Sequence, residues 1–169
     1  MIHLTDSDVK LLDELLRFTH NRLFLSKSLE SAYTKQLSYI SEDNIDCCLK
    51  CIETTDDIFS KFNDVNNNIN VIIEKLSIDK TTIHNALFFD SEIQSCPECL
   101  NGIIEIFKAS NKVLKNCNTL NERVTFQLSI QANNIQTKLS DIKNRKLIEQ
   151  SYGRINESKT SNVIGYSNI

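Results

Sequence analysis

Apolar residues recur every three or four positions near the start of the chain. They extend over about 5–40, and Thr5 or Asp6 is the expected N-cap. The apolar line consists of Leu11, Leu15, Phe18, Leu25, Leu29, Tyr33, Leu37 and Ile40. Arg22 is the one polar residue that interrupts this line. This spacing places side chains on one face of an α-helix. The pattern therefore predicts a long amphipathic helix over 5–40 that ends at the polar segment 41–44.

Two further stretches predict long helices over about 44–76 and 95–152. In the second stretch an apolar line at spacings of three and four is flanked by Cys51, Ile58, Val65 and Ile72 at intervals of seven, as in antiparallel helices packed near 20°. That helix is on the order of 50 Å long at 1.5 Å per residue. Ser95–Glu98 predicts a capping box with proline in the first turn of the third helix. The connection 77–95 is predicted to hold a short helix over 82–89.

The scarcity of glycine and proline supports an all-helical fold. The chain has three glycines and one proline, and residues 1–96 contain neither. Sheet proteins need many tight turns, and tight turns need these residues. The fold class is therefore predicted to be all-α: an elongated antiparallel bundle of three long helices with coiled-coil-like packing. Residues 1–152 are expected to form a single domain, and 153–169 a flexible C-terminal tail.

Composition and charge narrow the classes of partner. The 169 residues are 40% hydrophobic and 24% charged, with a formal net charge of −3, which indicates a globular chain without the basic surface of a nucleic-acid-binding protein. Acidic residues interrupt the apolar positions near the N-terminus, unlike a secretory signal. No window approaches the roughly 20 apolar residues of a membrane span. We therefore expect a cytoplasmic protein that is not inserted in a membrane.

The six cysteines are the strongest chemical candidates. Cys48, Cys51, Cys96 and Cys99 form two CxxC motifs, and four thiolates are the ligand set of a structural zinc. About 44 residues separate the motifs, more than the loops of compact zinc sites contain. The cysteines also fall on the predicted helix seams, where a free cysteine packs as a small hydrophobe. We prefer packing over zinc, and expect no redox role because a thioredoxin-like βαβ pattern is absent.

The sequence does not predict an enzyme. The histidines are His3, His20 and His84, and none belongs to an HExxH or ExxH motif, which zinc proteases and di-iron bundles require. The chain has no glycine-rich phosphate loop and no GxSxG motif. We therefore expect no catalytic residues and no cofactor.

The organisation of the chain resembles the flagellar export chaperones of the FlgN family. The resemblance rests on a long helical hairpin with a polar turn at Ser41–Asn44, then a connection and a long C-terminal helix. That helix contains Gln131-Ala132-Asn133-Asn134, then Lys138-Leu139, and the ending Leu147-Ile148-Glu149-Gln150-Ser151-Tyr152-Gly153. It covers nearly the whole chain, although its motifs are short. The six cysteines and the abundant asparagine are not features of that family.

The resemblance implies a cytoplasmic chaperone that binds hook-associated proteins of the hook–filament junction and presents them to the export apparatus. In that family the C-terminal helix holds the substrate, as in recognition of a helix in a groove. The corresponding positions here are Val124, Leu128, Ile135, Leu139, Ile142, Leu147 and Ile148. A monomer or weak homo-oligomer is expected. The alternatives are a self-assembling coiled-coil protein and a zinc-stabilised helical adaptor.

Overall fold

Four helices make up almost all of the structure, a computed structural model that describes residues 5–88 and 100–163. They are α1 (Asp6–Ser41), α2 (Ile45–Lys75), α3 (Lys80–Phe88) and α4 (Asn101–Val163). No strand occurs within these described ranges, so the all-α prediction is confirmed. None of the helices in the described part of the chain has an apolar stretch long enough to cross a bilayer.

The two ends of α4 differ from the prediction in different ways. The expected capping box at 95–98 lies outside the described residues. At the other end the helix continues to Val163, beyond the expected boundary near 152. An α-helix satisfies its backbone groups within its own segment, and a single glycine such as Gly153 costs only about 1 kcal/mol relative to alanine. Lack of apolar residues after 152 therefore did not end the helix.

The chain divides into two compact units, Met1–Thr125 and Phe126–Ile169, where the sequence predicts one domain over 1–152. The first unit, called unit 1 below, contains α1, α2, α3 and the first part of α4. The second, called unit 2, contains the remainder of α4. Among the residues that the structure describes, the side chains of the hydrophobic core cluster all belong to unit 1.

Side-chain caps define where α1 and α2 begin. Thr5 caps α1: its hydroxyl accepts a hydrogen bond from the Asp8 backbone nitrogen at 3.1 Å, while its own nitrogen donates to the Asp8 carboxylate at 2.9 Å. This reciprocal pair is a capping box. Asn44 caps α2, its side-chain oxygen accepting from the Cys47 nitrogen at 3.2 Å. Asp43 in the turn has φ of 57°, a left-handed conformation that aspartate tolerates better than most residues.

Three contacts show that α1 and α2 form an antiparallel hairpin. The Gln36 amide donates to the Thr55 hydroxyl at 2.9 Å near the turn, and Arg22 Nε donates to the Asn66 amide oxygen at 3.0 Å farther along. At the open end the Ser77 nitrogen donates to the Asp8 carboxylate at 3.0 Å. The partner on α2 moves away from the turn as the residue on α1 does. The two long helices therefore pack side by side over most of their length.

The first part of α4 contacts α1 and α3 within unit 1. Ser110 accepts a hydrogen bond from Arg22 at 2.7 Å, and the Cys117 thiol lies 3.7 Å from the Ser26 carbonyl oxygen. The Asn111 amide donates to the Leu87 carbonyl of α3 at 3.2 Å. Positions on α4 and their partners on α1 advance together along the chain. This part of α4 therefore runs in the same direction as α1.

Candidate partner-binding surface

Unit 2 exposes large apolar side chains along α4. Ile135, Leu139 and Ile142 are 55%, 54% and 50% exposed. The other exposed members are Phe126, Ile130, Leu147 and Ile148. Isolated exposed apolar residues are common on soluble proteins, but a run of them on one element often marks an interaction site. This part of α4 is therefore the candidate partner-binding surface.

Four of these apolar residues share one face of the helix. At about 100° per residue, Leu128, Ile135, Leu139 and Ile142 fall within an arc of about 60°. Leu128 is half-buried and the other three are exposed. We call these four residues the α4 stripe. Its members recur at intervals of three, four or seven, which is the spacing a partner helix needs for apolar contacts along one side.

The remaining predicted residues do not belong to this face or are not accessible. Val124 is only 4% exposed and lies in unit 1, so it serves the fold. Leu147 and Ile148 are exposed, but they lie about 120° and 140° around the helix from Ile135. The sequence-based set of seven residues thus separates into one buried residue, the α4 stripe and two residues on other faces.

Two exposed apolar residues of unit 2 were missing from the predicted set. Phe126 and Ile130 lie four residues apart, and both point away from the α4 stripe, by about 180° and 140° from Ile135. The signal that could have found them was present in the sequence: both are large apolar residues that fall off the predicted seam and are surrounded by polar neighbours. A partner that covers only one face of α4 leaves these two side chains in water.

The charges of unit 2 are confined to one part of its helix. Residues 126–137 contain no charged side chain, whereas Lys138, Lys143, Arg145 and Lys146 follow within nine positions, with Asp141 the single acidic residue among them. All four basic side chains are exposed. None of them forms an ion pair with another residue in the part of the chain that the structure describes. The α4 stripe therefore starts among uncharged amides and ends among basic groups.

Unit 1 contains a buried polar layer centred on Arg22, which is 4% exposed. Its guanidinium donates to Asn66 and Ser110, and it lies 3.9 Å from the Phe107 ring centroid and 5.1 Å from that of Phe62. Burial lowers the pKa of Arg22 to about 10, so the group stays protonated at neutral pH. Ser26 completes the layer, 2.7 Å from Ser110. A shift of the helices would leave this buried cation without its hydrogen-bond acceptors and aromatic contacts, which costs free energy.

The cysteine positions favour packing over a four-thiolate zinc site. Cys48 is buried, and burial raises the pKa of its thiol above the ordinary value; zinc requires the thiolate. Cys96 and Cys99 lie outside the described residues. Leu100 lies ten residues before Ser110, whose hydroxyl contacts Arg22 of α1. Cys48, in contrast, lies at the turn end of the hairpin. The starts of α2 and α4 are thus separated by about 30 residues of α1, or about 45 Å at 1.5 Å per residue.

A metal site and a groove in unit 1 were the other candidates, and neither is as well formed as the α4 stripe. In the ranges 5–88 and 100–150, no three His, Cys, Asp or Glu side chains are grouped so as to hold a metal ion. A groove of about 590 Å³ between α1 and α2 is lined by Phe24, Tyr39 and Ile58, and Phe24 is 67% exposed. Its other lining residues include Ser28, Ser31 and Thr54. The apolar part of this groove is therefore interrupted, unlike the α4 stripe.

Comparisons with known proteins add no relative to this description. No protein-family model matches the sequence, and no match was found among curated proteins or solved structures.

Proposed function

We propose that this chain is a cytoplasmic export chaperone of the FlgN type, which binds hook-associated flagellar proteins before type III secretion and presents them to the export apparatus. The single observation that supports the proposal best is the exposure of Ile135, Leu139 and Ile142 on one face of α4. A helix that keeps such a face in water is suited to covering the amphipathic helix of another protein. The organisation of the chain, which resembles that family, supplies the identity of the partner.

In this mechanism the two units have separate tasks. The hairpin of α1 and α2, together with the first part of α4, is proposed to form a three-helix bundle that holds the fold. Unit 2 is proposed to contact the client through the α4 stripe, and no catalytic group or cofactor takes part. The client's own sticky terminal helix is then shielded from self-association until export.

The size of the exposed surface sets a requirement on the client. Full burial of an apolar side chain contributes about 1.5–3 kcal/mol, so three side chains that are already half covered contribute about 2–4.5 kcal/mol in total. A micromolar complex needs about 8 kcal/mol after the entropic cost of association. The client must therefore also contact Leu128 and the residues on other faces, Leu147 and Ile148, and we expect it to wrap partly around α4.

The decisive variant combines Leu139→Asp with Ile142→Asp. Both positions are exposed in the free chain, so the fold should tolerate the change, whereas two carboxylates in an apolar contact should weaken client binding by about 100-fold or more. Affinity for purified hook-associated proteins is measured by isothermal titration calorimetry, and helicity by circular dichroism. We expect loss of binding with unchanged helicity.

A matched control uses Leu49→Asp with Val71→Asp, two similarly exposed apolar residues of α2 in unit 1. This control should bind the client as the unmodified chain does. Equal loss of binding in the control would refute the assignment of the site to unit 2. Loss of helicity in the Leu139 and Ile142 variant would show that these side chains stabilise the fold instead.

Self-assembly is the second candidate, and the same observation favours it, because an exposed apolar stripe can pair with a second copy. Size-exclusion chromatography with light scattering separates the two functions. We expect a monomer or a weak oligomer without the client. A stable higher oligomer that the Leu139 and Ile142 substitutions dissociate would instead identify a structural coiled-coil protein.

A further inference from the structure

The two units carry opposite net charge. Residues 1–125 contain 13 lysines and arginines against 19 acidic residues, a net charge of −6, whereas residues 126–169 contain six against three, a net charge of +3. The overall charge of −3 hides this difference. A partner that binds unit 2 therefore meets a basic helix, although the protein as a whole is acidic.

The basic side chains lie beside the α4 stripe. Around the helix, Lys138 is about 60° to one side of Ile135 and Lys143 about 80° to the other. These are the flanking positions whose charges select the partner and its register in paired helices. Lys146 lies nearly in line with the stripe, one turn beyond Ile142. Glu149 is the one acidic residue near this line, a further turn along the helix.

We propose that the partner segment bound by unit 2 is an acidic amphipathic helix: apolar along one side, uncharged where it meets residues 126–137, and flanked by glutamate or aspartate where it meets 138–146. This inference rests on the proposed function and specifies the chemistry of the client. It is carried by charge complementarity, which contributes specificity and association rate more than affinity.

An anionic membrane surface is a different partner for a basic helix, and the distribution of apolar residues disfavours it. A helix that lies in a membrane interface has one apolar face and one strongly polar face. Here Phe126, Ile130 and Ile148 are exposed on the side opposite the α4 stripe. Another segment of a client protein can cover that opposite side, whereas a helix lying in a membrane interface needs a strongly polar face there.

The test uses two designed peptides of 21 residues, each with leucine at the apolar heptad positions. The acidic peptide has glutamate at the flanking positions and the basic peptide has lysine. Fluorescence anisotropy with the full chain should give about tenfold tighter binding of the acidic peptide at low salt, and the preference should shrink as salt screens the charges. The variant Lys138→Glu with Lys143→Glu should reverse the preference. Lysine and glutamate are comparable helix formers, so α4 should persist.

A charge-matched control keeps the change outside the candidate surface. Lys112→Glu with Lys115→Glu alters the same net charge on the same helix, at exposed positions of unit 1. This control should retain the preference for the acidic peptide. If it reverses the preference as well, then net charge and not position governs binding, and the inference is overturned.

The remaining outcomes separate this inference from the proposed function. If both peptides bind equally and Leu139→Asp with Ile142→Asp abolishes both, the charge inference fails and the binding site stands. If neither substitution pair affects peptide binding, the proposed site fails as well. Failure of both peptides to bind overturns the charge inference. Binding to phosphatidylserine vesicles that is lost in the Lys138 and Lys143 variant, without peptide discrimination, would replace it with a membrane partner.

Discussion

Ser110→Ala should destabilise unit 1 more than a serine-to-alanine change elsewhere, because it removes an acceptor from a buried cation. Arg22 donates to the Ser110 hydroxyl at 2.7 Å and to Asn66 at 3.0 Å. A hydrogen bond to a charged group is worth about 1.5–3 kcal/mol, and alanine regains up to about 0.5 kcal/mol in helix propensity. The expected net loss in the free energy of unfolding is about 1–2.5 kcal/mol.

Arg22→Met should cost much less, although it removes the central residue of the layer. The substitution also removes the charge whose burial lowers the pKa of Arg22, so the cost of burying that cation disappears together with its hydrogen bonds, and Ser110 keeps its contact with Ser26. Ser26 still donates to the Arg22 carbonyl oxygen at 2.8 Å. The expected change is within about 1 kcal/mol of the unmodified chain.

The double variant tests whether the two residues act together. With methionine at position 22, Ser110→Ala removes only the contact with Ser26 and should cost about 0–1 kcal/mol after the gain in helix propensity. The coupling energy in a double-mutant cycle should therefore be about 1.5 kcal/mol. Urea denaturation followed by circular dichroism measures each value. Ser28→Ala, whose hydroxyl donates to the Phe24 carbonyl oxygen in an exposed turn of α1, supplies the propensity baseline. An equal cost of Ser110→Ala in both backgrounds would refute the account of a buried cation held by Ser110.

Two further predictions concern stability. Asp8 accepts hydrogen bonds from Thr5 and Ser77, which hold its pKa at about 2. The contribution of its carboxylate to the free energy of unfolding is complete at pH values above the ordinary pKa of 3.8 and is lost as the pH falls from there toward 2. The difference in urea midpoint between the unmodified chain and Asp8→Asn should therefore narrow over this range, with exposed Asp13→Asn as control, and a constant difference would contradict the role of the carboxylate. Ile69→Ala, at a fully buried position, should cost about 2–5 kcal/mol, whereas Ile135→Ala should stay within about 0.5 kcal/mol. A cost above 1 kcal/mol at Ile135 would show that the α4 stripe is part of a core.

Local periodicity and capping were sufficient to predict the hairpin. Helix bounds of 5–40 and 44–76 differ by about one residue from Asp6–Ser41 and Ile45–Lys75, and the N-cap is Thr5, one of the two residues that the sequence suggested. A helix whose apolar face is regular and whose ends are marked by polar caps is determined by nearby residues. The short helix α3 was also expected within the connection, two residues later than Lys80–Phe88.

The exact face of α1 that is buried could not be predicted from local periodicity. Treating Arg22 as an interruption placed Leu11 and Phe18 on the seam, but both are only half-buried, whereas Leu12 and Thr19 are buried. The buried face is rotated because Arg22 and Ser26 find partners on α4, 84 and more residues away in the chain. The spacing of apolar residues does not reveal polar contacts between residues so far apart in the sequence. Phe59, expected on the seam of α2, is also exposed, at 41%.

The two parts of α4 repeat the same apolar spacing but differ in what accompanies it. In unit 1 the buried line includes Ser110 and Cys117, and Ser110 belongs to the Arg22 layer. A buried polar contact of this kind favours one alignment of neighbouring helices, because every other register leaves a charge without its acceptors. The α4 stripe consists of leucine and isoleucine alone, flanked by amides and then by lysines. Its apolar side chains do not penalise a partner displaced by one heptad, so only the exposed charges beside them restrict the register. On the proposed function this difference has a purpose: the fold of the chaperone must have a single register, whereas a surface that serves several related client helices can align them through exposed charges alone.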